Sequence, residues 1–234
     1  MTRGQPPAPA TPSDPRAADE RFDLVAFIEA NLRLAPVPSL PEISIHAAHP
    51  ASGLWRLSRQ GGGAHPPYWA YPWPGGAALA RYFLDRPEII SGRSVLDLGA
   101  GCGLVAIAAA KAGAKTVVAA DTDANAVAAL RLNAAANGVS IEPLAGDLTQ
   151  GAPPPVDLIA VGDLFYERGL AKRATAFLER CLAAGVEILI GDIGRPYLPR
   201  PRLRPLAEYP VKDFGDGDDA ALKPGGVFAF EARL

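Results

Sequence analysis

The sequence that decides the fold is SVLDLGAGCG, residues 94–103, in which a short apolar run with one aspartate leads into three evenly spaced glycines. Gly99, Gly101 and Gly103 are followed directly by an alanine-rich segment whose composition favours a helix. Glycine permits positive φ angles and lets a ligand approach bare backbone, and the first turn of a helix offers unpaired N–H groups. The pattern therefore predicts a strand, a ligand-binding loop and a helix in direct succession.

The spacing of the loop separates two kinds of nucleotide ligand. Dinucleotide-binding proteins use Gly-x-Gly-x-x-Gly and hold a pyrophosphate at the helix N-terminus, whereas this loop reads Gly-x-Gly-x-Gly. Asp97, two residues before the first glycine, would repel a pyrophosphate and attract a cationic amine. We therefore predict S-adenosylmethionine as the ligand, with Asp97 binding its methionyl ammonium directly or through water. The alternative is a tight turn that binds no ligand.

The order of the predicted elements indicates the fold class. Beyond residue 75 helices and strands alternate, and segments such as TVVAA, DLIAVG and EILIG are nearly continuous apolar runs, as in parallel strands buried on both faces. A possible strand at 206–212 and the final VFAFEARL are predicted to form an antiparallel hairpin that closes the sheet. We predict an α/β fold with a doubly wound, mostly parallel, seven-stranded sheet. The predicted helices are 75–86, 103–112, 124–136 and 167–183, and the strands before the hairpin are 94–98, 116–120, 139–144, 156–162 and 186–191.

Two further acids are predicted to bind the cofactor. Asp121 lies 20 residues after Gly101 at the end of the second strand, where nucleotide-binding doubly wound folds place an acid on the ribose hydroxyls. Asp123 is predicted to be the N-cap of the next helix. Asp147, after the third strand, is predicted to accept a hydrogen bond from the adenine amine, with an ordinary loop aspartate as the alternative.

The fourth strand ends in VGDLFYERG, at the edge where open α/β sheets bind ligands. Asp163 can orient a lysine nitrogen there, and the rings of Phe165 and Tyr166 can shelter its charge. The alternative is that Asp163 only caps the helix that follows it. The segment predicts an acceptor site beside the cofactor.

Several segments together resemble a known family. The glycine loop with its acid is similar to the first motif of class I methyltransferases. The stretches PYWAYPWPGG, GDLFYERGLA and LIGDIGRPYLP resemble the electron transfer flavoprotein beta-subunit lysine methyltransferase family, within the seven-strand protein lysine methyltransferases. FIEANLRLAPVPSLPEISIHAA resembles the N-terminal element of the bacterial members, so the resemblance runs from about residue 22 to the C-terminus.

The resemblance implies a Rossmann-like class I fold and methyl transfer from S-adenosylmethionine to lysine side chains of the electron transfer flavoprotein beta subunit. It places Trp73 near the adenine and Asp163 at the acceptor channel. Asp163 and Tyr166 belong to the Asp-x-Phe-Tyr signature and are the expected catalytic residues. Ile193 stands where the family has a proline, so no backbone shape is inferred for that loop.

In the implied reaction the enzyme contributes mainly alignment of the lysine nitrogen with the sulfonium. A lysine side chain has a pKa of about 10.4, so little of it is a free amine at neutral pH. Partial desolvation by Phe165, Tyr166 and Tyr68 would favour the neutral form. Asp163 would oppose this, and we therefore assign it the role of orienter and hydrogen-bond acceptor.

Three segments are predicted along the chain. Residues 1–18, rich in proline and alanine, form a flexible tail. Residues 19–74 form an N-terminal extension with a helix from 19 to about 33, a hairpin of EISIHAA and LWRLSRQ, and a loop rich in glycine and proline. Residues 75–234 form the S-adenosylmethionine-dependent methyltransferase domain.

The composition indicates which classes of partner and which cellular compartment to expect. The 234 residues carry 23 basic and 25 acidic side chains, so no nucleic-acid partner is expected, and no apolar run is long enough to cross a membrane. The two cysteines form no C-x-x-C pair, which fits a reducing, cytoplasmic location. No metal site is expected, and His46 and His49 are predicted to be surface residues of a strand and turn. A monomer is expected.

Other functions remain open from the sequence. The acceptor could be a ribosomal protein or a small amine, with the same cofactor. The chain could also be a non-catalytic module that binds the cofactor or a partner protein. A nicotinamide-dependent dehydrogenase fits the glycine spacing least well.

Overall fold

The computed structural model describes residues 23–59, 66–213 and 221–232. No helix in these ranges is long and apolar enough to cross a membrane. The helices are α1 (Leu24–Asn31), α2 (Trp55–Arg59), α3 (Pro74–Asp85), α4 (Leu104–Lys111), α5 (Ala124–Ala136) and α6 (Arg168–Ala183). The strands are β1 (Arg33–Val37), β2 (Leu40–Ala47), β3 (Ser94–Leu98), β4 (Thr116–Asp121), β5 (Glu142–Ala145), β6 (Leu158–Gly162), β7 (Glu187–Asp192), β8 (Leu203–Val211) and β9 (Lys223–Phe230).

The central sheet contains seven strands in the order β5-β4-β3-β6-β7-β9-β8. The strand pairs from β5 to β7 are parallel, whereas β9 is antiparallel to both β7 and β8. The predicted doubly wound, mostly parallel sheet with an antiparallel C-terminal hairpin is confirmed. β9 begins at Lys223, earlier than predicted, because pairing with β8 extends the strand through a stretch of proline and glycine with weak strand propensity.

Strand β3 shows why the sheet strands are continuous apolar runs. Val95 packs in a core cluster with residues of α3, α4 and α5, whereas Leu96 and Leu98 pack in a second cluster with residues of α6. Successive side chains of a strand point to opposite faces of the sheet, so both faces of β3 are buried. β6 alternates between the two clusters in the same way.

The prediction of the N-terminal hairpin is wrong. The structure pairs β1 with β2, and the segment LWRLSRQ contributes helix α2 instead of a strand. Leu57 packs in one cluster with Phe27 of α1, and the Arg56 guanidinium lies 5.2 Å from the centre of the Phe27 ring. These contacts with α1 stabilise a five-residue helix whose apolar spacing also fits a strand.

Two asparagines, Asn133 of α5 and its C-cap Asn137, attach the hairpin of β1 and β2 to the sheet domain. The Asn137 side chain accepts from the Ser44 N–H at 3.0 Å and donates to the Ser44 carbonyl at 2.6 Å. Asn133 Oδ1 accepts from the His46 N–H at 2.8 Å and lies 2.9 Å from His46 Nδ1. His46 is 9% exposed, so its predicted surface position is wrong, because β2 turns this side chain toward α5.

The predicted N-terminal extension and methyltransferase domain share one hydrophobic core. Apolar residues of β2 belong to the same cluster as those of α3 and α4. The boundary predicted between residues 74 and 75 falls at the first turn of α3 and stays a prediction. The predicted flexible tail, residues 1–18, lies outside the described residues.

The N-terminus of α3 lies against the ends of β6 and β7 with backbone touching backbone. A Cβ atom at Gly75 would lie 2.5 Å from the Gly191 carbonyl oxygen, and one at Gly191 would lie 2.1 Å from the Gly75 carbonyl oxygen. A Cβ at Gly162 would lie 2.9 Å from the Cα of Gly76. Only glycine at these positions lets the helix start come this close to the sheet.

Adjacent glycines of α3 provide a test of this contact. Gly75→Ala is expected to lower the free energy of unfolding by about 2 to 3 kcal/mol, because the added methyl overlaps the β7 backbone. Gly76→Ala is expected to be neutral or to stabilise by up to about 0.5 kcal/mol, because its Cβ would meet only Val105 Cγ2, at 3.6 Å, and alanine favours helix. Urea unfolding of both variants measures the difference, and equal effects would contradict the close contact.

Candidate active site

The glycine loop adopts a conformation that only glycine takes easily. Gly99, Gly101 and Gly103 have φ angles of +75°, +53° and +81°. A Cβ at Gly103 would lie 2.2 Å from Leu130 Cδ1, and one at Gly99 would lie 2.7 Å from Leu164 Cδ1. At Gly101 the nearest atom would be the Trp69 Cα, at 3.8 Å, so the loop presents an uncovered backbone face at its centre.

Asp121 fixes this loop from the end of β4. Its Oδ2 accepts from the Gly101 N–H at 2.9 Å, and its Oδ1 accepts from the Asp123 N–H at 2.9 Å. Burial raises the pKa of the Asp121 carboxyl group, while these hydrogen bonds favour the ionised form. The predicted ribose-binding acid therefore stands beside the uncovered face of the loop. Asp123 is the N-cap of α5, as predicted, and accepts from the Asn125 N–H at 2.8 Å.

Asp97 has a structural contact in addition to its predicted ligand. The side chain is 1% exposed, and its Oδ2 accepts from the Ala106 N–H of α4 at 3.0 Å. Burial raises the pKa of Asp97 to about 7, and the nearby Asp121 acts in the same direction. The carboxyl group ties β3 to the first turn of α4 directly under the glycine loop. Its contact with a methionyl ammonium stays a prediction.

Asp147 is exposed and follows the end of β5. Its Oδ1 accepts from both the N–H and the hydroxyl of Thr149, at 2.9 and 2.6 Å, and caps a short 3-10 helix. The hydroxyl hydrogen bond is the main cause of its lowered pKa. The contact with adenine stays a prediction, and the capping contact matches the alternative of a loop aspartate.

Asp163 is held by two elements at once. Its Oδ2 accepts from the Gly76 N–H at the start of α3 at 2.9 Å, and its Oδ1 lies 3.0 Å from both Nε and Nη2 of Arg195. Asp163 is the non-glycine residue with a positive φ, +50°, in the described part of the chain. Burial raises its pKa to about 6 in spite of the arginine. The alternative that it caps α6 is wrong, because Glu167 caps that helix with both carboxylate oxygens.

Three aromatic rings continue from Asp163 toward the surface. The Tyr166 ring centre is 5.6 Å from that of Tyr68, which is 5.8 Å from that of Trp73. The Arg195 guanidinium lies 5.5 Å from the Trp73 ring centre. We call Tyr68, Trp73, Asp163, Tyr166 and Arg195 the acceptor cluster.

Phe165 does not join the acceptor cluster. It is fully buried and packs with the α6 side of the core, so its predicted role in desolvating a lysine is wrong. The chain turns directly after β6, and both Leu164 and Phe165 pack against the core cluster on the α6 side. Tyr166 and Tyr68, which are 45% and 42% exposed, are available to a ligand instead.

Trp73 lies on the β7 side of the site. Its indole N–H donates to the Tyr68 carbonyl at 2.7 Å, and Arg195, its cationic neighbour, follows β7. Asp147 follows β5, four strands away in the sheet order, a separation of roughly 19 Å along the sheet. The contact of Trp73 with adenine stays a prediction, and its observed neighbours favour the acceptor side.

The acceptor cluster lies beside the glycine loop, and chain neighbours of two of its members are next to the loop glycines. Leu164, next to Asp163, packs against Gly99, and the backbone of Trp69, next to Tyr68, faces Gly101. This contact lies where β3 and β6 meet and the strand order reverses, which is the ligand-binding edge of doubly wound sheets. The site therefore has two adjoining halves, the glycine loop with its acids and the acceptor cluster.

Sequence reasoning missed Arg195 and the glycines that support α3. Arg195 was visible in the GDIGRP segment, but its role depends on contacts with residues far along the chain. The available signal was topological: parallel neighbours β6 and β7 bring Asp163 and the residues after Asp192 to the same edge. The Gly75–Gly191 approach had no signal in the sequence beyond the glycines themselves.

Other reactive groups give no second site. Cys102 is buried and its pKa is raised to about 12 by desolvation, so it is not an available nucleophile. In residues 23–59, 66–213 and 221–232 no group of three or more His, Cys, Asp or Glu side chains is arranged to hold a metal ion.

The sheet order, the uncovered glycine loop and the acids at the ends of β3 and β4 define a class I methyltransferase. Among solved structures, a T. thermophilus 16S rRNA N2 G1207 methyltransferase in complex with AdoMet and guanosine has the same fold, with a TM-score of 0.51, 24% identity and coverage of 69% of this chain and 44% of that one. A sequence model of the ribosomal protein L11 methyltransferase (PrmA) family matches residues 79–160.

Relatives of similar length identify the family. The electron transfer flavoprotein beta subunit lysine methyltransferase of Rattus norvegicus is 38% identical over 88% of this chain and 83% of its own. The Homo sapiens protein of the same name is 35% identical over 89% of this chain and 82% of its own. The chain belongs to the electron transfer flavoprotein beta subunit lysine methyltransferase family, and it is an S-adenosylmethionine-dependent enzyme.

The raised pKa of Asp97 predicts a pH-dependent effect of its removal. Between roughly pH 4 and 7 the folded state holds a proton that the unfolded state releases, so the stability from this group is lost as pH rises through about 7. The melting temperature of Asp97→Asn minus that of the wild type is expected to increase by about 3 °C or more from pH 5 to pH 8. Asp157→Asn, whose parent carboxylate has a lowered pKa, should not show this increase. A constant difference for Asp97→Asn would contradict the assignment.

Binding measurements can distinguish the roles of Asp121, the last residue of β4, and Asp123. Asp121→Ala is expected to weaken binding of S-adenosylhomocysteine at least about 10-fold, because a charge-assisted hydrogen bond is lost and the loop is released. Asp123→Ala should lower the stability by about 1 kcal/mol through loss of the α5 cap and leave the affinity unchanged. Calorimetric titration of both variants checks this, and equal affinities would contradict the cofactor role of Asp121.

Proposed function

We propose that this protein methylates lysine side chains of the electron transfer flavoprotein beta subunit. The observation that carries the proposal is that an acceptor cluster of one carboxylate, one arginine and three aromatic rings lies beside the glycine loop, with Leu164 and Trp69, the chain neighbours of Asp163 and Tyr68, next to the loop glycines. The names of relatives that match most of the chain supply the protein substrate.

The residues present fit S-adenosylmethionine. The uncovered backbone at Gly101 leaves room for the ligand, and we assign Asp121, which bonds to this loop, to the ribose hydroxyls, Asp97 to the ammonium and Asp147 to the adenine. The loop has no lysine or arginine among residues 99–103 with which to neutralise a phosphate, which agrees with a phosphate-free ligand. When bound, S-adenosylmethionine supplies an electrophilic methyl group whose bond to sulfur breaks with the electron pair left on sulfur.

The acceptor cluster would bind and orient the lysine. The rings of Tyr68, Trp73 and Tyr166 provide apolar surface for the lysine stem and π-faces for its nitrogen. Asp163 would accept a hydrogen bond from the amine and direct its lone pair toward the methyl group. The lone pair forms the new N–C bond, and the methylated ammonium then releases a proton to solvent.

The location, the oligomeric state and the absence of a nucleic-acid partner are also proposals. Both cysteines are free and buried, which agrees with a reducing, cytoplasmic setting. We also propose that the enzyme acts as a monomer on a protein partner and does not use nucleic acid, consistent with its net charge of −2.

A ribosomal protein acceptor is the second candidate, because the matching family model bears the name of ribosomal protein L11 methyltransferase. That match ends at residue 160, before Asp163, and starts after Trp73, so it covers the donor half of the site and leaves out the acceptor cluster. The flavoprotein relatives cover both halves and are therefore the stronger guide to the acceptor.

Mass spectrometry of purified proteins tests the proposal. The wild-type enzyme, incubated with S-adenosylmethionine, is expected to add multiples of 14 Da to lysines of the flavoprotein beta subunit and to leave ribosomal protein L11 unmodified, about 14 Da being the mass of the CH₂ gained per transfer. Modification of the ribosomal protein alone would overturn the proposed substrate. Absence of transfer to any protein with normal cofactor binding would favour a non-catalytic module.

Two acids at opposite ends of β6 provide a matched pair of variants. Asp163→Asn is expected to lower the rate about 10 to 100-fold at pH 8, with S-adenosylhomocysteine affinity retained, because only the acceptor is misaligned. Asp157→Asn, at the opposite end of the strand, should retain the wild-type rate. A wild-type rate for Asp163→Asn would contradict its role as orienter.

A further inference from the structure

Arg195 is held in place more firmly than a surface arginine. Asp192 Oδ1 accepts from the Gly194 N–H at 2.6 Å and the Arg195 N–H at 2.7 Å, which fixes the turn that carries Arg195. The guanidinium then makes a two-nitrogen contact with Asp163 and lies over the Trp73 ring. An arginine that pairs with the Asp163 carboxylate and stacks on an aromatic ring of the acceptor cluster points to a role in the reaction.

Among the described residues, the charges next to the Asp163–Arg195 pair are themselves in pairs of opposite sign. Asp213, after β8, has an oxygen 3.8 Å from Arg195 Nη2, and Lys223 of β9 lies 3.5 Å from the other Asp213 oxygen. Asp192 and Arg200 interact electrostatically beside them, and the N-terminus of α3 adds partial positive charge at Gly76. On the exposed side the facing titratable groups are the phenols of Tyr68 and Tyr166, with Asp121 and Glu167 beyond them.

This balance matters because methyl transfer needs the lysine as a neutral amine. An isolated carboxylate within about 4 to 6 Å of a lysine raises the lysine pKa by about 1 to 3 and holds it as ammonium. A carboxylate and a guanidinium together carry no net charge, so the pair does not favour the ammonium form. Asp163 alone would therefore oppose the reaction that it orients.

The hydrogen-bond capacity of Asp163 agrees with this role. A carboxylate offers about four acceptor positions, two on each oxygen. The Gly76 N–H uses one position on Oδ2, and the Arg195 guanidinium covers Oδ1 with a hydrogen bond from Nε and a second nitrogen at 3.0 Å. One position is left for a single N–H of an incoming amine. That is enough to orient a neutral amine and too little to solvate an ammonium ion.

We propose that Arg195 is a positioning residue that neutralises Asp163, so that the acceptor lysine is received as a neutral amine with its lone pair free. The inference rests on the proposed function. With Arg195 in place, Asp163 can orient the amine without its negative charge stabilising the ammonium form. Asp163 keeps its hydrogen-bonding geometry, and its charge is cancelled by a residue that does not touch the methyl group.

The pH dependence of kcat/KM between pH 6.5 and 10 tests the role of Arg195. Arg195→Met is expected to move the acidic limb of the profile toward higher pH by at least about 1 unit. The variant should therefore have a kcat/KM that is 10-fold or more below wild type at pH 7.5 and close to wild type at pH 10. Arg195→Lys keeps the charge and should leave the acidic limb within about 0.3 pH units of wild type, even where loss of the two-nitrogen contact lowers the rate. Asp163→Asn leaves the arginine uncompensated and should move the limb of its residual activity downward.

Arg202→Met is the matched control. Arg202 also pairs with a carboxylate, Glu179, and also lies over an aromatic ring, 4.8 Å from the centre of Phe230, but it is outside the acceptor cluster. Its removal should lower the melting temperature without moving the limb. A rate for Arg195→Met that is reduced equally at every pH would overturn the proposal and leave Arg195 a structural role only.

Two further measurements distinguish a folding defect and a failure of the proposed function from a failure of the inference about Arg195. If Arg195→Met shows no melting transition, Asp163→Asn decides, and an unmoved limb in that variant overturns the proposal. If the wild type leaves the flavoprotein beta subunit unmodified, the proposed function fails and the inference falls with it. If the wild type modifies the flavoprotein and the Arg195→Met profile is parallel to it, only the inference about Arg195 fails.

Discussion

The geometry of the acceptor side depends on the hydrogen bonds and the ion pair of the Asp163 carboxylate. It joins the start of α3, through the Gly76 N–H, to Arg195 after β7, and it stands at the end of β6 itself. Without this carboxylate a partly buried guanidinium and a helix N–H would lose their shared acceptor, which is a costly arrangement in a protein interior. The ends of two strands and one helix are thus held at a common point by one side chain.

A buried carboxylate at the end of β6 is energetically unfavourable, and the structure shows this in two ways. The backbone of Asp163 adopts φ +50°, a region that side chains other than Asn and Asp rarely enter, and burial raises its pKa to about 6. A glycine would adopt this backbone without strain but would bring no carboxylate. Such local costs are typical of functional sites, and here the close packing of Gly75 on Gly191 supplies the rigid support that maintains it.

The donor half of the site could be predicted from the sequence because it is local. The strand, the glycines and the helix are contiguous, and the positive φ angles at Gly99, Gly101 and Gly103 explain why each glycine is needed. The sheet was predictable because its strands are continuous apolar runs. The N-terminal hairpin was predicted wrongly because helix α2 has five residues, too few for a periodicity that separates helix from strand, and its conformation depends on contacts with α1.

The acceptor half could be predicted only in part, because its members come from four separate segments. Tyr68, Trp73, Asp163 with Tyr166, and Arg195 meet only once the sheet order and the path of α3 are known. The signature around Asp163 indicated an acceptor site, but the burial of Phe165 and the pairing with Arg195 are properties of the assembled fold.

This division also explains which part of the chain carries the choice of substrate. The match to the ribosomal protein L11 methyltransferase family covers residues 79–160, which hold the glycine loop, Asp121 and Asp147, and it ends before Asp163. Trp73, Asp163 and Arg195 all lie outside that range. A shared donor half can therefore serve enzymes with different acceptors, and the residues that select a lysine of one particular protein must be sought in the segments that surround it, where α3 begins and where β6 and β7 end.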